Sequence, residues 1–360
     1  MQKKLIALAV AGLVAAPAFA QSNVTIYGVV DAYFGLVNGK IAGDGDTKAV
    51  VDSGLLSGSR LGFKGSEDLG NGLKAEFVLE QGFNIDDGSV NAGGSQFFQR
   101  QAWVGLNSSM GKLSLGRQYA PGYTATYVYE ATGGGVISPQ SILSNAVGMT
   151  ITPNTAARWD NSVAYASPNF GGLTVNAIWG VGTEVATDEK AGRRIGLGVN
   201  YANGPIGVAY VYQQAHGTDG NDKQREHFLG GSYDFGMFKL LASYQTVLGD
   251  TASTFTTPVA LKGGNDAKLW TIGGIVKVGA GNVHATYAKL DSDTAQSDAK
   301  SFALAYTQGL SKRTTAYAGI NRTSNDDNVA YGLGGKTAEG LPYDGGEAQT
   351  IYAVGVNHTF

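Results

Sequence analysis

The sequence predicts an all-β fold, a 16-stranded antiparallel transmembrane β-barrel with short periplasmic turns, long external loops and an inward-folded third loop. Three observations predict it. Segments of roughly ten residues alternate apolar and polar side chains, their connections alternate short and long, and no stretch after Ala20 reaches the ~18 apolar residues of a spanning helix. Composition agrees. Glycine supplies 54 of 360 residues, and each glycine in a helix interior costs about 0.5–1 kcal/mol relative to alanine, which disfavours a helix-rich architecture. The glycines keep no three-residue period and prolines number 8, which excludes collagen, while an apolar share of 43% argues against disorder. Charged residues make up 15%, against roughly 25% in a soluble domain, and the formal net charge of -3 disfavours a nucleic-acid partner.

Residues 1–20 read as a signal peptide. Lys3 and Lys4 precede an apolar run from Leu5 to Ala16, and Ala18-Phe19-Ala20 is a small-x-small cleavage site. The barrel is then expected to occupy residues 21–360, with 24 basic and 29 acidic residues and a net charge of -5 once Lys3 and Lys4 are set aside. No cysteine is present, so disulfides do not hold it together.

Leu73, Ala75, Phe77 and Leu79 form one greasy face, and Lys74, Glu76 and Glu80 the other. Such a segment is a strand with a dry and a wet side. Leu173 to Trp179, Ile195 to Tyr201, Ile206 to Tyr212 and Tyr352 to Phe360 repeat the pattern. Between the strands lie seven tight, turn-rich connections at 68–72, 109–112, 169–172, 203–205, 234–237, 279–282 and 309–312. Eight longer polar stretches alternate with them, near 37–57, 84–95, 119–158, 182–193, 213–225, 249–266, 291–299 and 324–347. Fifteen connections require sixteen strands, an even number with one short-turn end. Closure is compulsory in hydrocarbon, where an open strand edge leaves N–H and C=O groups unsatisfied, and a ring of this size encloses water.

Motifs of soluble chemistry fail on their own terms. Gly335-Lys336-Thr337 lacks the glycine five residues earlier, where Ala330 stands. Asp291-Ser292-Asp293 opens like a calcium loop, but Ala295 and Gln296 occupy its fifth and sixth positions. His216, His227, His284 and His358 have no close second ligand, and no serine sits in a Gly-x-Ser-x-Gly elbow. No enzyme activity, cofactor or metal is expected.

The run from Ser59 to Phe77, through Arg60-Leu61-Gly62-Phe63-Lys64-Gly65 and Glu67-Asp68-Leu69-Gly70-Asn71-Gly72, resembles the second hairpin of the general porins of beta-proteobacteria and Neisseria. Arg100-Gln101-Ala102-Trp103-Val104-Gly105-Leu106, Leu115-Gly116-Arg117-Gln118-Tyr119, Val24-Thr25-Ile26-Tyr27-Gly28 and the terminal Phe360 are similar to that family as well. The resemblance implies a homotrimer in the outer membrane of a Gram-negative bacterium, in contact with its lipid and lipopolysaccharide. It also implies a third loop that narrows each barrel, and a Phe360 read by the barrel-assembly machinery.

The residues support an unusual third loop by themselves, since the 27 residues between Glu130 and Arg158 carry no charge. A structureless loop of that length calls for a packing role, and folding inward supplies one; an external flap is the other reading. With Leu61 and Phe63 outward, alternation turns Arg60 and Lys64 into the lumen. Arg158 and Asp160 oppose an outward Val163 only in a strand without a bulge, and Arg100 shares a face with Ala102 and Val104 by the same parity. Their place in a basic constriction wall, opposite the loop's one acid Glu130, rests partly on the resemblance. If Arg100 faces the lumen, Gln99 and Gln101 face outward, where a neighbouring subunit would satisfy their amides.

The expected function is a general diffusion channel for ions and small hydrophilic solutes with weak anion preference. The alternative is a substrate-specific channel for a sugar or an organic anion, kept open by Tyr119, Tyr123, Tyr127 and Tyr129 at the start of the third loop.

Overall fold

The computed structural model describes residues 23–39, 47–90, 96–183, 189–217, 220, 222–249, 266–333 and 345–360. The expected leader and the Gly335-Lys336-Thr337 segment lie outside the described residues. Strands β1 (Asn23–Asn38), β2 (Thr47–Ser53), β3 (Arg60–Gly70), β4 (Leu73–Gly82), β5 (Gln101–Ser108) and β6 (Gly111–Tyr119) lead into the third loop. That loop carries helices α1 (Pro121–Val128) and α2 (Pro139–Ala146) and the short 3-10 turn Thr155–Ala157. Then follow β7 (Arg158–Ala166), β8 (Leu173–Gly180), β9 (Arg194–Asn203), β10 (Ile206–His216), β11 (Lys223–Asp234) and β12 (Phe238–Gly249). The chain ends with β13 (Ala267–Val278), β14 (Gly281–Ser292), β15 (Ala299–Gly309), β16 (Thr314–Asn325) and β17 (Gln349–Thr359).

Each strand pairs antiparallel with its neighbours, and β17 closes on β1 from Val29↔Thr359 to Asn38↔Thr350. Seventeen strands make sixteen staves, because β2 and β3 both lie on β1, at Ala32↔Ser53 and Val29↔Arg60. Residues 54–59 leave the ladder between them. Asp31, opposite the gap, is repaired locally: its C=O accepts the Gly54 N–H at 2.9 Å, and its N–H donates to Ser59 Oγ at 3.0 Å. Its carboxylate receives the Tyr317 hydroxyl at 2.6 Å and Asn357 Nδ2 at 2.8 Å, tying the gap to the closing strands.

All seven tight turns fall where the sequence puts them. At Asn71 and Gly72 the backbone is left-handed, with φ of 52° and 76°, which an Asn-Gly pair tolerates best. Val104, Leu115, Leu229 and Val354 are exposed on the outer face, where hydrocarbon takes the place of a core.

The third loop folds into the barrel, and it is not structureless. Ser138 caps α2, its side chain accepting the Ser141 N–H, and Pro139 at the first helical position needs no amide partner. Ile137, Leu143 and Met149 pack in one cluster with the inward Val247, Leu269, Leu290 and Ala303 of the wall. Burying each large side chain contributes about 1.5–3 kcal/mol. The loop therefore packs dry against β12–β15, and the open cavity lies on the side lined by the excursion at 54–59 and the strands that follow.

Candidate functional site: an arginine-lined constriction

The remaining lumen is a cavity of about 1070 Å³ between the loop and the wall. Arg60, Arg100, Arg117, Arg158 and Arg194 line it, with Asp52, Glu80 and Asp160 as the only carboxylates among its described lining residues. Strand ends deliver these groups. Arg60 opens β3 just past the ladder gap, and Nη1 donates to Ser57 Oγ at 3.0 Å and the Gly58 carbonyl at 2.9 Å. Glu80, inward on β4, faces two guanidiniums. Arg100 Nε donates to its Oε1 at 2.7 Å, and Arg60 Nε stands 3.7 Å from Oε2. Tyr27 and Tyr119 donate their hydroxyls to the same carboxylate at 2.9 and 3.0 Å.

Arg158 is held differently. Its Nη1 donates to Thr155 Oγ1 at 2.9 Å, and its guanidinium stands 5.6 and 5.7 Å from the ring centres of Tyr119 and Tyr123. Its buried Nε has no hydrogen-bond partner, and no carboxylate pairs with it among the described residues. Arg117 pairs with Asp160 at 2.7 Å, and Arg194 lies 5.9 Å over the Trp159 ring. Five guanidiniums against three carboxylates leave a cationic wall, and a low-dielectric surround strengthens its field.

Four of the residues expected at the constriction, Arg60, Arg100, Arg158 and Asp160, meet in this cavity. Two do not. Lys64 lies on the lumen face further toward the short-turn end, its amine 5.2 Å from the Tyr27 ring centre. Glu130 is turned away from the arginines and buried, accepting Thr132 Oγ1 at 2.5 Å and the Gly134 N–H at 3.4 Å. Burial pushes its carboxyl pKa up. The acid facing the arginines is Glu80.

Two parity assignments also change. Arg100 precedes β5, so strand alternation does not govern it. Ala102 and Val104 point outward, while Gln101 pairs with Glu80 and accepts from Trp103 Nε1 on the lumen side. Gln99 is buried beside the arginines, its carbonyl accepting Arg117 Nε at 2.5 Å. These glutamines give no outward amides and no argument for a subunit neighbour. At β7 a bulge intervenes: Gly116 faces Ser162, but Gln118 faces Trp159, so Asp160 and Asn161 stand opposite Arg117 alone. Asn161 takes φ of 48° and Gly116 φ of 130°, and a Cβ at Gly116 would lie 2.2 Å from the Ala102 oxygen.

The tyrosine run divides. Tyr119 and Tyr123 stack at 3.8 Å and, with the exposed Tyr127, line the cavity. Tyr129 is buried against the opposite wall and donates to Asn200 Oδ1 at 2.7 Å.

Comparison with known proteins decides the family. A family model described as Gram-negative porin matches residues 7–328. The chain belongs to the Gram-negative porins. It is 35% identical over 372 residues to outer membrane porin protein 32 of Delftia acidovorans, with all of both chains covered. It is 34% identical over 247 residues to the major outer membrane protein P.IB of Neisseria meningitidis serogroup B, covering 65% of this chain and 67% of that one. Among solved structures, an anion-selective porin from Comamonas acidovorans superposes with a TM-score of 0.80 at 32% identity, covering 94% of this chain and 100% of its own. Family and fold place this porin in the outer membrane of a Gram-negative bacterium.

Proposed function

We propose that this porin is a passive diffusion channel with a weak preference for small anions, and that it performs no enzymatic step. The cationic excess at the constriction carries the reading: a permeating ion passes five guanidiniums and three carboxylates in a lumen narrowed by the third loop. The chain's similarity to other porins, among them the anion-selective porin of Comamonas acidovorans, supports it. The functional unit on this reading is a homotrimer, exported with removal of residues 1–20 and inserted by the assembly machinery through Phe360. Reversal potentials across a KCl gradient test the selectivity, and cation preference in the wild type overturns it.

A second reading, a channel that retains organic anions, is favoured by one observation. Arg158 keeps a buried Nε with no partner beside two stacked tyrosines, a cationic and planar surface suited to a carboxylate. Saturable block of chloride current by a dicarboxylate would support retention, and linear currents would leave simple diffusion.

A further inference from the structure

Behind α1, a second cavity of about 320 Å³ lies between the helix and the wall of β8–β12, reaching the short turns at 203–205 and 234–237. No described residue lines both it and the arginine constriction. Pro121, Ala125 and Val128 of α1 form one side, and Ala209 and Val211 of β10 the other. Ala125, Ala209 and Val211 are buried while Val128 is 43% exposed, so the slot has an apolar floor and is reached from the lumen. Glycines let the third loop come this close: a Cβ at Gly198 would lie 2.7 Å from Pro121 Cβ, and one at Gly207 3.2 Å from the Tyr129 hydroxyl. An apolar slot with a few polar groups at its edge, within the range of about 300–1,000 Å³, has the form of a small-molecule site.

The mouth of the slot carries one acid and one base. Asp234 and Lys239 are its only charged groups among the described lining residues, and they are direct cross-strand partners flanking a short turn. Alternation from the buried Phe228 and Leu241 turns both inward. Among the described residues they form no ion pair with each other, and no carboxylate pairs with Lys239. Asp234 Oδ1 accepts the Gly236 N–H at 2.7 Å, which leaves Oδ2 to a solute. Asn200 accepts the Tyr129 hydroxyl through Oδ1, and its Nδ2 has no protein partner among the described residues.

These charges select the class of solute. A carboxylate alone is repelled by Asp234, an amine alone by Lys239, and a neutral solute matches neither. A zwitterion matches both: the two side chains start one strand spacing apart, about 4.8 Å, so an ammonium and a carboxylate borne on one carbon face them together.

We propose that this slot binds an α-amino acid with a large apolar side chain. Its ammonium lies on Asp234, its carboxylate on Lys239 and Asn200, and its side chain between α1 and β10. The apolar body displaces water from the floor while the paired charges fix its orientation. The site is separate from the constriction, so it stands or falls independently of the channel's ion selectivity.

The test titrates the folded protein in deuterated detergent and follows the free solute by saturation-transfer NMR. The probes are L-phenylalanine, glycine, 3-phenylpropanoate, which lacks the ammonium, and 2-phenylethylamine, which lacks the carboxylate. L-phenylalanine should bind saturably and glycine about tenfold or more weakly than it; Lys239→Gln and Asp234→Asn should each weaken L-phenylalanine about tenfold, the effect of one charge-assisted hydrogen bond. 3-Phenylpropanoate should lose nothing in Asp234→Asn, and 2-phenylethylamine nothing in Lys239→Gln. Arg158→Ala, at the constriction, should leave L-phenylalanine binding unchanged. No saturable binding, equal affinity for glycine, wild-type affinity in either charge variant, or loss of binding in Arg158→Ala overturns the site. Far-UV circular dichroism reports that each variant is folded, and if one charge variant does not fold the other decides.

Discussion

The Glu226 carboxylate accepts the backbone N–H of Ile151 at 2.8 Å through one oxygen, and that of Thr150 at 2.6 Å through the other. It is buried on β11, and Gln224 and Gln245 also donate to it while reaching the carbonyls of Gly148 and Ile151. Three wall residues thus satisfy a returning stretch of the third loop that has no secondary structure of its own to do so. The loop is fixed by its backbone as well as by its apolar face.

Glu226→Ala is therefore expected to free this limb of the loop. Hydrogen bonds to a charged acceptor contribute about 1.5–3 kcal/mol each, and the variant leaves two amides unpaired. Exchange of the Thr150 and Ile151 amides should accelerate at least tenfold and open-channel noise should rise, with the strand amides still protected. Wild-type exchange at these two amides would refute the latch.

Arg158→Ala and Arg100→Ala should differ. Arg158 has no carboxylate partner among the described residues, so its removal subtracts a cation from the constriction and exposes no acid. Anion preference should fall severalfold with the barrel's heat stability unchanged. Arg100 and Glu80 are 6% and 5% exposed, and breaking such a pair strands a buried charge at a cost of about 3–5 kcal/mol. Arg100→Ala should lower the unfolding temperature as well as the selectivity. Equal stability of the two variants would contradict this division.

Glu80→Gln tests the same wall from its acidic side. It removes the one carboxylate that Arg60 and Arg100 share, so anion preference should rise severalfold. The gain should shrink as KCl goes from 0.1 to 1 M, where the screening length falls from about 10 to about 3 Å. A gain that persists at 1 M would point to altered pore shape in place of charge.

Strand number and turn positions were legible because alternation and turn chemistry are local. Asn71-Gly72 and the outward Leu73, Ala75 and Phe77 need no distant partner to declare themselves. The constriction was less legible, because parity fails where a strand is broken or bulged. Gly116 carried a signal of that: a glycine within a strand pattern marks a bulge, and at this one Arg117 of β6 meets Asp160 of β7. Arg194 was readable in principle, since an outward Ile195 turns its neighbour inward. The burial of Glu130 was not, because it depends on Thr132 and Gly134 folding back against a wall far away in sequence.

Tyr123 is expected to give the channel a pH dependence. Burial alone pushes its hydroxyl pKa up, but the guanidiniums of Arg100 and Arg158 outweigh burial and draw it below the usual 10.0. It sits on α1, outside the spanning strands, with its oxygen 3.4 Å from Arg100 Nη2. A phenol with a depressed folded-state pKa ionises first as pH rises, and ionisation places a negative charge among the arginines. The same shift favours the packed loop at alkaline pH, and that contribution is lost as pH falls through the folded-state value. Anion preference should thus hold near neutral pH and decline before pH 10, ahead of ordinary tyrosines. Tyr123→Phe keeps the ring over which Arg158 lies and removes the ionisable group, so its reversal potential should stay flat through that range. Reversal potentials at intervals from pH 7 to 10 decide: the same decline in wild type and variant would assign it to other groups.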